Sequence, residues 1–368
     1  MISLVLTARP SYAKLQPIIA ALRARQATME VVCCASSLLV RYGRVVDQVR
    51  SDFPDVPVTE VYSTLEGSTL QTGAKDVGVL VTGLADHFAR IRPRFVVVTA
   101  DRYETIGAAI AARYQNIPVV HIQGGERSGN IDDVVRDANT ALAAYHFPAT
   151  ELAKYRIYSL TGQYERIWNV GCPSVDVALW AQADPPVTST ELGGTGADVD
   201  LNGPFILMLQ HGDTERVHAA YQQLRTTLDA CQDAHLPLVC FWPGQDAGQE
   251  DASKAIRVYC QQYAQYPIRT VRTLPPRRFL RLLSQTTVLV GNSSAGIREA
   301  SAVGTPVVNV GDRQSGRQRA GHVADVPHER GFIAGALKRQ ARHGRYERSD
   351  LYGTGTASRQ IADILTSL

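Results

Sequence analysis

Phe95-Val96-Val97-Val98 runs into Thr99-Ala100-Asp101-Arg102-Tyr103-Glu104, gives way to helical spacing from Ile106 to Tyr114, and returns to an apolar run at Pro118-Val119-Val120-His121-Ile122. A run of aromatic and β-branched residues has no polar face to offer water, so each reads as a strand covered on both sides, joined by a helix that crosses the sheet. Upstream, Ser3-Leu4-Val5-Leu6, a helical stretch from Ala13 to Ala24 and Val31-Val32-Cys33-Cys34 repeat the pattern. Downstream, the Gly- and Thr-rich stretch from Thr188 to Gly203 reads as a loop or linker. The rhythm then returns in Phe205-Ile206-Leu207-Met208-Leu209, Pro237-Leu238-Val239-Cys240-Phe241, Thr287-Val288-Leu289-Val290 and Pro306-Val307-Val308-Asn309-Val310. The expected class is α/β, with two Rossmann-like doubly wound domains facing across a cleft. Their expected extents are 1–182 and 183–350, with 351–368 a C-terminal helix packing back on the first.

Composition fits that division. A chain of 368 residues is long enough for two domains that each bury a core. Hydrophobic residues at 45% and charged residues at 20% favour neither disorder nor a membrane class. The net charge of +3, from 38 Lys+Arg against 35 Asp+Glu, is too balanced for binding nucleic acid or a membrane by charge alone, so an anionic ligand must be met locally. Met1 to Thr7 has no basic n-region and too short an apolar run for a signal peptide, and reads as a buried first strand. Cys33, Cys34, Cys172, Cys231, Cys240 and Cys260 form no CxxC pair and read as reduced thiols of a cytoplasmic protein without a metal site.

Open α/β sheets bind ligands beyond the carboxyl ends of their strands, and five polar motifs fall there. Thr7-Ala8-Arg9-Pro10-Ser11-Tyr12 places an arginine at a helix start, either to meet a diphosphate or as a surface side chain. In Thr99 to Glu104, Asp101 is either a helix N-cap or a proton-transfer group. The third motif, His121 to Asp137, carries Gln123, paired glycines, Glu126, Arg127, Asp132, Asp133 and Arg136, more ionisable groups than a structural loop needs, though one of Asp132 and Asp133 is expected to cap the following helix. His211, in Gln210-His211-Gly212-Asp213-Thr214-Glu215, reads as a phosphate contact before a core histidine. Gly291-Asn292-Ser293-Ser294-Ala295-Gly296-Ile297-Arg298-Glu299 presents small donors at a helix start, with Glu299 one and a half turns further in. A plain Asn/Ser cap would explain its serines but not the basic loop Gly311-Asp312-Arg313-Gln314-Ser315-Gly316-Arg317 that follows.

In order, these motifs resemble the UDP-N-acetylglucosamine 2-epimerase family, its hydrolysing branch in particular. Gly129 to Arg136 reads Gly-x-Ile-Asp-Asp-x-x-Arg, and Gly291 to Arg317 reads Gly-Asn-Ser-Ser-x-Gly-x-Arg-Glu, then Gly-Thr-Pro-Val, then Arg-Gln-x-Gly-Arg. The resemblance runs from Arg9 to Arg317 and implies a GT-B fold and a homodimer that closes around its ligand, with no metal or redox cofactor. It implies UDP contacts from Arg9, Arg102, His211, Asp246, Ser293, Ser294 and Glu299, with Arg313 behind the sugar-phosphate region. The implied chemistry removes the sugar C2 proton, expels UDP to leave an unsaturated sugar, and adds water to release the free 2-epimer, of the N-acetylmannosamine type. Asp101 and Asp132 match family carboxylates, and Glu126, position 123 and His211 complete the implied catalytic set.

Two departures qualify that chemistry. Family members read His-Ile-Glu-Gly-Gly-Glu where this chain has Gln123, and an amide is no general base. The usual Arg-His-x-x-Thr-Lys is here Arg136-Asp137-Ala138-Asn139-Thr140-Ala141. Either Glu126, Asp132 and Asp137 share the proton work, or substrate and reaction differ. The other readings are a non-hydrolysing epimerase, another NDP-sugar hydrolase or eliminase, a GT-B glycosyltransferase, and a catalytically silent UDP-sugar binder, against which Asp101 and Asp132 speak.

Overall fold

In β1 (Ile2–Leu6), β2 (Met29–Cys34) and β4 (Phe95–Thr99) every residue is buried, so the strands can pair only inside a covered sheet. The computed structural model, which describes residues 1–65, 67, 69–129, 131–212, 216–244 and 248–368, pairs β1 in parallel with β2 and β4. With β3 (Val58–Val61), β5 (Val119–Ile122) and β6 (Tyr145–Phe147) they form a six-stranded sheet ordered β3-β2-β1-β4-β5-β6. Alternation along β1 divides the core. Leu4 and Leu6 pack with Ile18, Ile19 and Leu22 of the helix Arg9–Ala24, while Val5 turns to Leu80, Leu84 and Phe88 of the helix Leu70–Ile91 and to Ala108 and Ala112 of Thr105–Arg113.

This unit comprises Met1–Arg127, Ile131–Val177 and Tyr352–Leu368. Its C-terminal helix, Ala357–Ser367, lays Ile361, Ala362 and Leu365 into the same cluster as Ile18 and Leu22. Buried Asp176 holds the start of that helix, accepting from the Ala357 and Ser358 amides at 3.2 and 2.7 Å and from the Ser358 hydroxyl at 2.6 Å. Asp176→Ala is expected to cost about 2–4 kcal/mol, since three buried donors lose their acceptor. The check is hydrogen exchange at Ala357–Ser367, which should quicken in the alanine variant and far less in Asp176→Asn; unchanged exchange refutes the anchor.

The second unit, Ala178–Leu351 with Ser128 and Gly129, carries β7 (Thr195–Gly196), β8 (Ile206–Leu209), β9 (Leu238–Phe241), β10 (Ile268–Val271), β11 (Val288–Gly291), β12 (Val307–Val310) and β13 (Val323–Val326). The order is β13-β12-β11-β8-β9-β10-β7, parallel except for β7. The stretch expected as a plain linker is thus partly structured. Thr188 caps the short helix Ser189–Leu192, its hydroxyl accepting from Glu191 N–H at 3.2 Å, and β7 then extends the sheet. Gly196 permits that pairing, because at its φ of 105° a Cβ would lie 2.3 Å from the Ile268 carbonyl oxygen.

Strand order reverses direction between β1 and β4 in one sheet and between β8 and β11 in the other. Such switch points open a crevice at the strands' carboxyl ends. Arg9 follows β1, Asp101 follows β4, His211 follows β8 and Asn292 follows β11. Among the described residues no helix is long and apolar enough to cross a membrane.

Candidate active site

In the first unit, the ends of β4 and β5 turn on non-glycine residues in the left-handed region, Ala100 at φ 62° and Gln123 at φ 64°. Each such turn costs an L-residue about 1–2 kcal/mol, so bonds must hold it. The Ala100 N–H donates to Ile122 O at 2.8 Å and its carbonyl accepts from His121 Nε2 at 2.9 Å. The Gln123 N–H donates to Phe147 O at 2.9 Å.

The turn at Ala100 brings Asp101 to Arg136, 1% exposed, on the helix Asp132–Leu142. One guanidinium donates to Asp101, to Asp133 and, at 2.7 Å, to the Glu126 carbonyl. Burial alone would lower the Arg136 pKa, but the two carboxylates outweigh it and raise it, so the cation is held firmly. None of Asp101, Asp132 and Asp133 stands at a helix N-cap position, contrary to the expected cap in the Asp132–Asp133 pair. The helices Thr105–Arg113 and Asp132–Leu142 start behind Glu104 and Ile131, neither of which caps with its side chain; Asp132 and Asp133 already lie in the first turn, and Asp101 and Asp133 pair with Arg136. Asp132, the first helical residue, is partly exposed beside the cluster, and Glu126 is buried.

Gln123 is wholly buried, and its amide donates to Cys172 Sγ at 2.6 Å, which lies 2.9 Å from the Ser174 hydroxyl. The side chain standing where the family has a carboxylate is thus packed against a thiol. Asp137, in place of a histidine, pairs with Arg127 at 2.8 Å. Arg102 is held by buried Glu104 through two bonds of 3.1 and 3.0 Å. Arg9 opens the helix Arg9–Ala24, whose first turn has no acid, and burial lowers its pKa. A partly covered cation at a helix N-terminus works against the dipole and suits an anionic ligand.

In the second unit, Asn292 Oδ1 accepts the His211 N–H at 2.8 Å and its Nδ2 donates to His211 O at 2.9 Å. Arg313 and Gln314 donate to the Asn292 carbonyl at 3.2 and 3.0 Å. The expected helix through Ser293 and Glu299 is corrected. Ser294–Gly296 is a single 3₁₀ turn, and the helix is Glu299–Val303, with Glu299 its first residue. The Gly296 carbonyl accepts from His322 Nε2 at 2.8 Å, and buried Arg298 folds back to the Ser294 hydroxyl at 2.8 Å, both of which draw the turn away from a continuous helix. The Ser293 hydroxyl accepts from Ala295 N–H at 3.4 Å. Asp246, expected to contact UDP, and Asp213, Thr214 and Glu215 lie outside the described residues.

The structure therefore groups Asp101, Glu126, Asp132 and Arg136 in one unit and His211, Asn292, Ser294, Glu299 and Arg313 in the other. Arg136 and Asn292 were legible only as motif letters. The i,i+3 spacing of Asp133 and Arg136 was the available signal for the first.

The family model for UDP-N-acetylglucosamine 2-epimerase matches residues 20–366. This chain belongs to that family. A relative from Legionella pneumophila, UDP-N,N'-diacetylbacillosamine 2-epimerase (hydrolyzing), is 31% identical over 89% of this chain and 85% of its own. The UDP-N-acetylglucosamine 2-epimerase of Neisseria meningitidis is 25% identical over 98% of this chain and 93% of its own. A crystal structure of UDP-GlcNAc 2-epimerase from Neisseria meningitidis bound to UDP-GlcNAc aligns over 100% of both chains with a TM-score of 0.81 at 20% identity. The fold is thus GT-B type, and the chain is an enzyme of a nucleotide-sugar 2-epimerase family.

Proposed function

We propose that this chain is a hydrolysing 2-epimerase of a UDP-N-acetylhexosamine, with a sugar of the N,N'-diacetylbacillosamine type as first candidate and UDP-GlcNAc as second. The observation that carries the reading is the cluster at the end of β4, where buried Arg136 fixes Asp101 beside Asp133 and the Glu126 backbone. A base there takes the C2 proton, the C1–O bond breaks, and the electron pair leaves with UDP. Water then adds its hydroxyl at C1 and a proton at C2 to give the free 2-epimer. Asp101 and Asp132 carry the proton transfers, with Glu126 in support. Negative charge on the departing diphosphate is met by Arg9, Arg102, His211, Ser293, Ser294 and Arg313, while Asp246 and Glu299, as carboxylates, accept from donors of the nucleoside, Glu299 from the ribose hydroxyls. The hydrolysing relative of 31% identity supports release of free sugar over return of UDP-sugar. A cytoplasmic homodimer belongs to the same proposal, supported by an apolar groove on the first unit lined by Val81, Ala85, Ile110, Tyr114 and Leu142; light scattering should give twice the chain mass.

Incubation with each UDP-sugar in deuterated water, followed by NMR, tests the reaction. Free sugar with deuterium at C2 is expected, and UDP release with protium retained at C2 would reduce the enzyme to a simple hydrolase. Gln123→Glu is expected to speed C2 exchange, because a carboxylate buried beside Cys172 and Ser174 is pushed towards the base range. It should also cost about 1–3 kcal/mol of stability at pH 8 and less at pH 5, since burial penalises only the charged form. A variant with unchanged exchange would show that position 123 lies off the proton path.

A further inference from the structure

Gly291, the last residue of β11, has φ 134°, and a Cβ there would lie 2.0 Å from the Leu209 carbonyl oxygen, so the ends of β11 and β8 touch backbone to backbone. Asn292 follows and is 1% exposed. Its N–H donates to Leu209 O at 3.1 Å, and its side-chain amide meets both the N–H and the carbonyl of His211 at 2.8 and 2.9 Å. The side chain thereby continues the β8–β11 ladder one residue past the strands. At the same time the Asn292 carbonyl takes Arg313 and Gln314 from the loop after β12. The His211 ring has a further constraint: Gly244 N–H donates to its Nδ1 at 3.3 Å. An accepting Nδ1 leaves the neutral ring's proton on Nε2, which makes His211 a hydrogen-bond donor.

We propose that Asn292 is a positioning residue that sets His211, as an Nε2–H donor, and Arg313 together against a diphosphate, an assignment that rests on the nucleotide reading above. A capping asparagine would spend its side chain on the amides of its own turn; this one spends it on a residue of another strand end. Donor and cation then stand in place before charge develops on the leaving oxygen, which is when fixed groups count most. An aspartate at 292 would keep the bond to the His211 N–H but face the His211 carbonyl with a second oxygen, replacing attraction by repulsion.

The test has one arm without nucleotide and one with it. In ¹⁵N-histidine NMR at pH 8, wild-type His211 is expected to show the Nε2–H tautomer, and Asn292→Ala a mixture. By UDP titration calorimetry, Asn292→Ala and Asn292→Asp should both weaken binding about tenfold, and Asn292→Ala added to His211→Phe should change it less than about twofold, because coupled residues do not add. Equal melting temperatures show that the variants fold, and the aspartate, close in size, stands in should the alanine unfold. An unchanged tautomer, or the full tenfold loss in the His211→Phe background, overturns the assignment. Wild-type protein whose tautomer depends on Asn292 but which binds no UDP overturns the nucleotide reading instead, so the two failures are distinct.

Discussion

Arg136→Met is expected to lower turnover by at least about a thousandfold and to destabilise the fold by about 3–5 kcal/mol, the cost of leaving buried charge uncompensated. The guanidinium is 1% exposed and is shared by Asp101 and Asp133, whose side chains are themselves largely covered, and by the Glu126 carbonyl. Without it two carboxylates face each other across a cavity and the loop carrying Glu126 loses its tie. The stability loss and the activity loss have different origins, which a second change separates. In the Arg136→Met background, Asp133→Asn removes one unpaired charge and should recover much of the stability, because deleting both partners of a pair is far cheaper than deleting one. Turnover should stay low, since Asp101 is still unoriented. Arg136→Lys keeps the charge but has only a point donor where a fork serves two carboxylates, so it should rescue stability better than rate. Urea unfolding and UDP-release kinetics on the four proteins check this; a double variant that regains turnover along with stability would reduce Arg136 to a strut.

The central strands of both sheets were readable because burial on both faces leaves an unbroken apolar run, as in Phe95-Val96-Val97-Val98. The strands that escaped lie towards the edges or carry polar residues. β3 reads Val-Thr-Glu-Val and is half-exposed throughout, β13 includes Asp325, β10 includes Arg269, and β6 is three residues long with His146 at its centre. β7 could not be read at all, since two residues have no period and their pairing depends on where β10 lies. The strand-end motifs were readable as candidate ligand loops because ligand loops in this architecture follow strand ends, and the structure places Asp101 after β4 and His211 after β8. What the letters withheld was which partner each side chain chooses: Asp133 turns to Arg136 instead of capping, and Asn292 reaches His211, 81 residues away in sequence. Such choices follow from the register of the parallel ladders, which a single sequence does not print.

Acid should unfold this protein early, and His146→Phe should both delay that and stabilise the protein at neutral pH. His121 and His146 face each other across β5 and β6 and are fully buried. Burial lowers the His121 pKa from 6.5 to about 4, and burial together with the His121 charge lowers that of His146 from 6.5 to about 3. The sign follows directly. The unfolded chain takes up a proton on each ring near pH 6.5 while the folded chain refuses it, so stability is complete above pH 6.5 and falls as pH drops towards 4 and 3, where the folded rings finally protonate. Each ring contributes a slope of up to about 1.4 kcal/mol per pH unit, so that by pH 4.5 the pair costs roughly 5 kcal/mol, a large part of a typical domain's stability. The two rings are not equivalent. His121 donates from Nε2 to the Ala100 carbonyl and lies 3.1 Å from the Thr140 hydroxyl at Nδ1, so it holds the strand-end turn beneath Asp101. Among the described residues neither nitrogen of His146 has a hydrogen-bond partner. Its buried polar atoms therefore weigh against the fold even when neutral, and phenylalanine should gain about 1–2 kcal/mol at pH 7.5 while halving the slope below pH 6. Urea midpoints from pH 7.5 to 4.5 decide it: a variant as acid-sensitive as the parent would show that the carboxylates, rather than this histidine pair, set the acid limit.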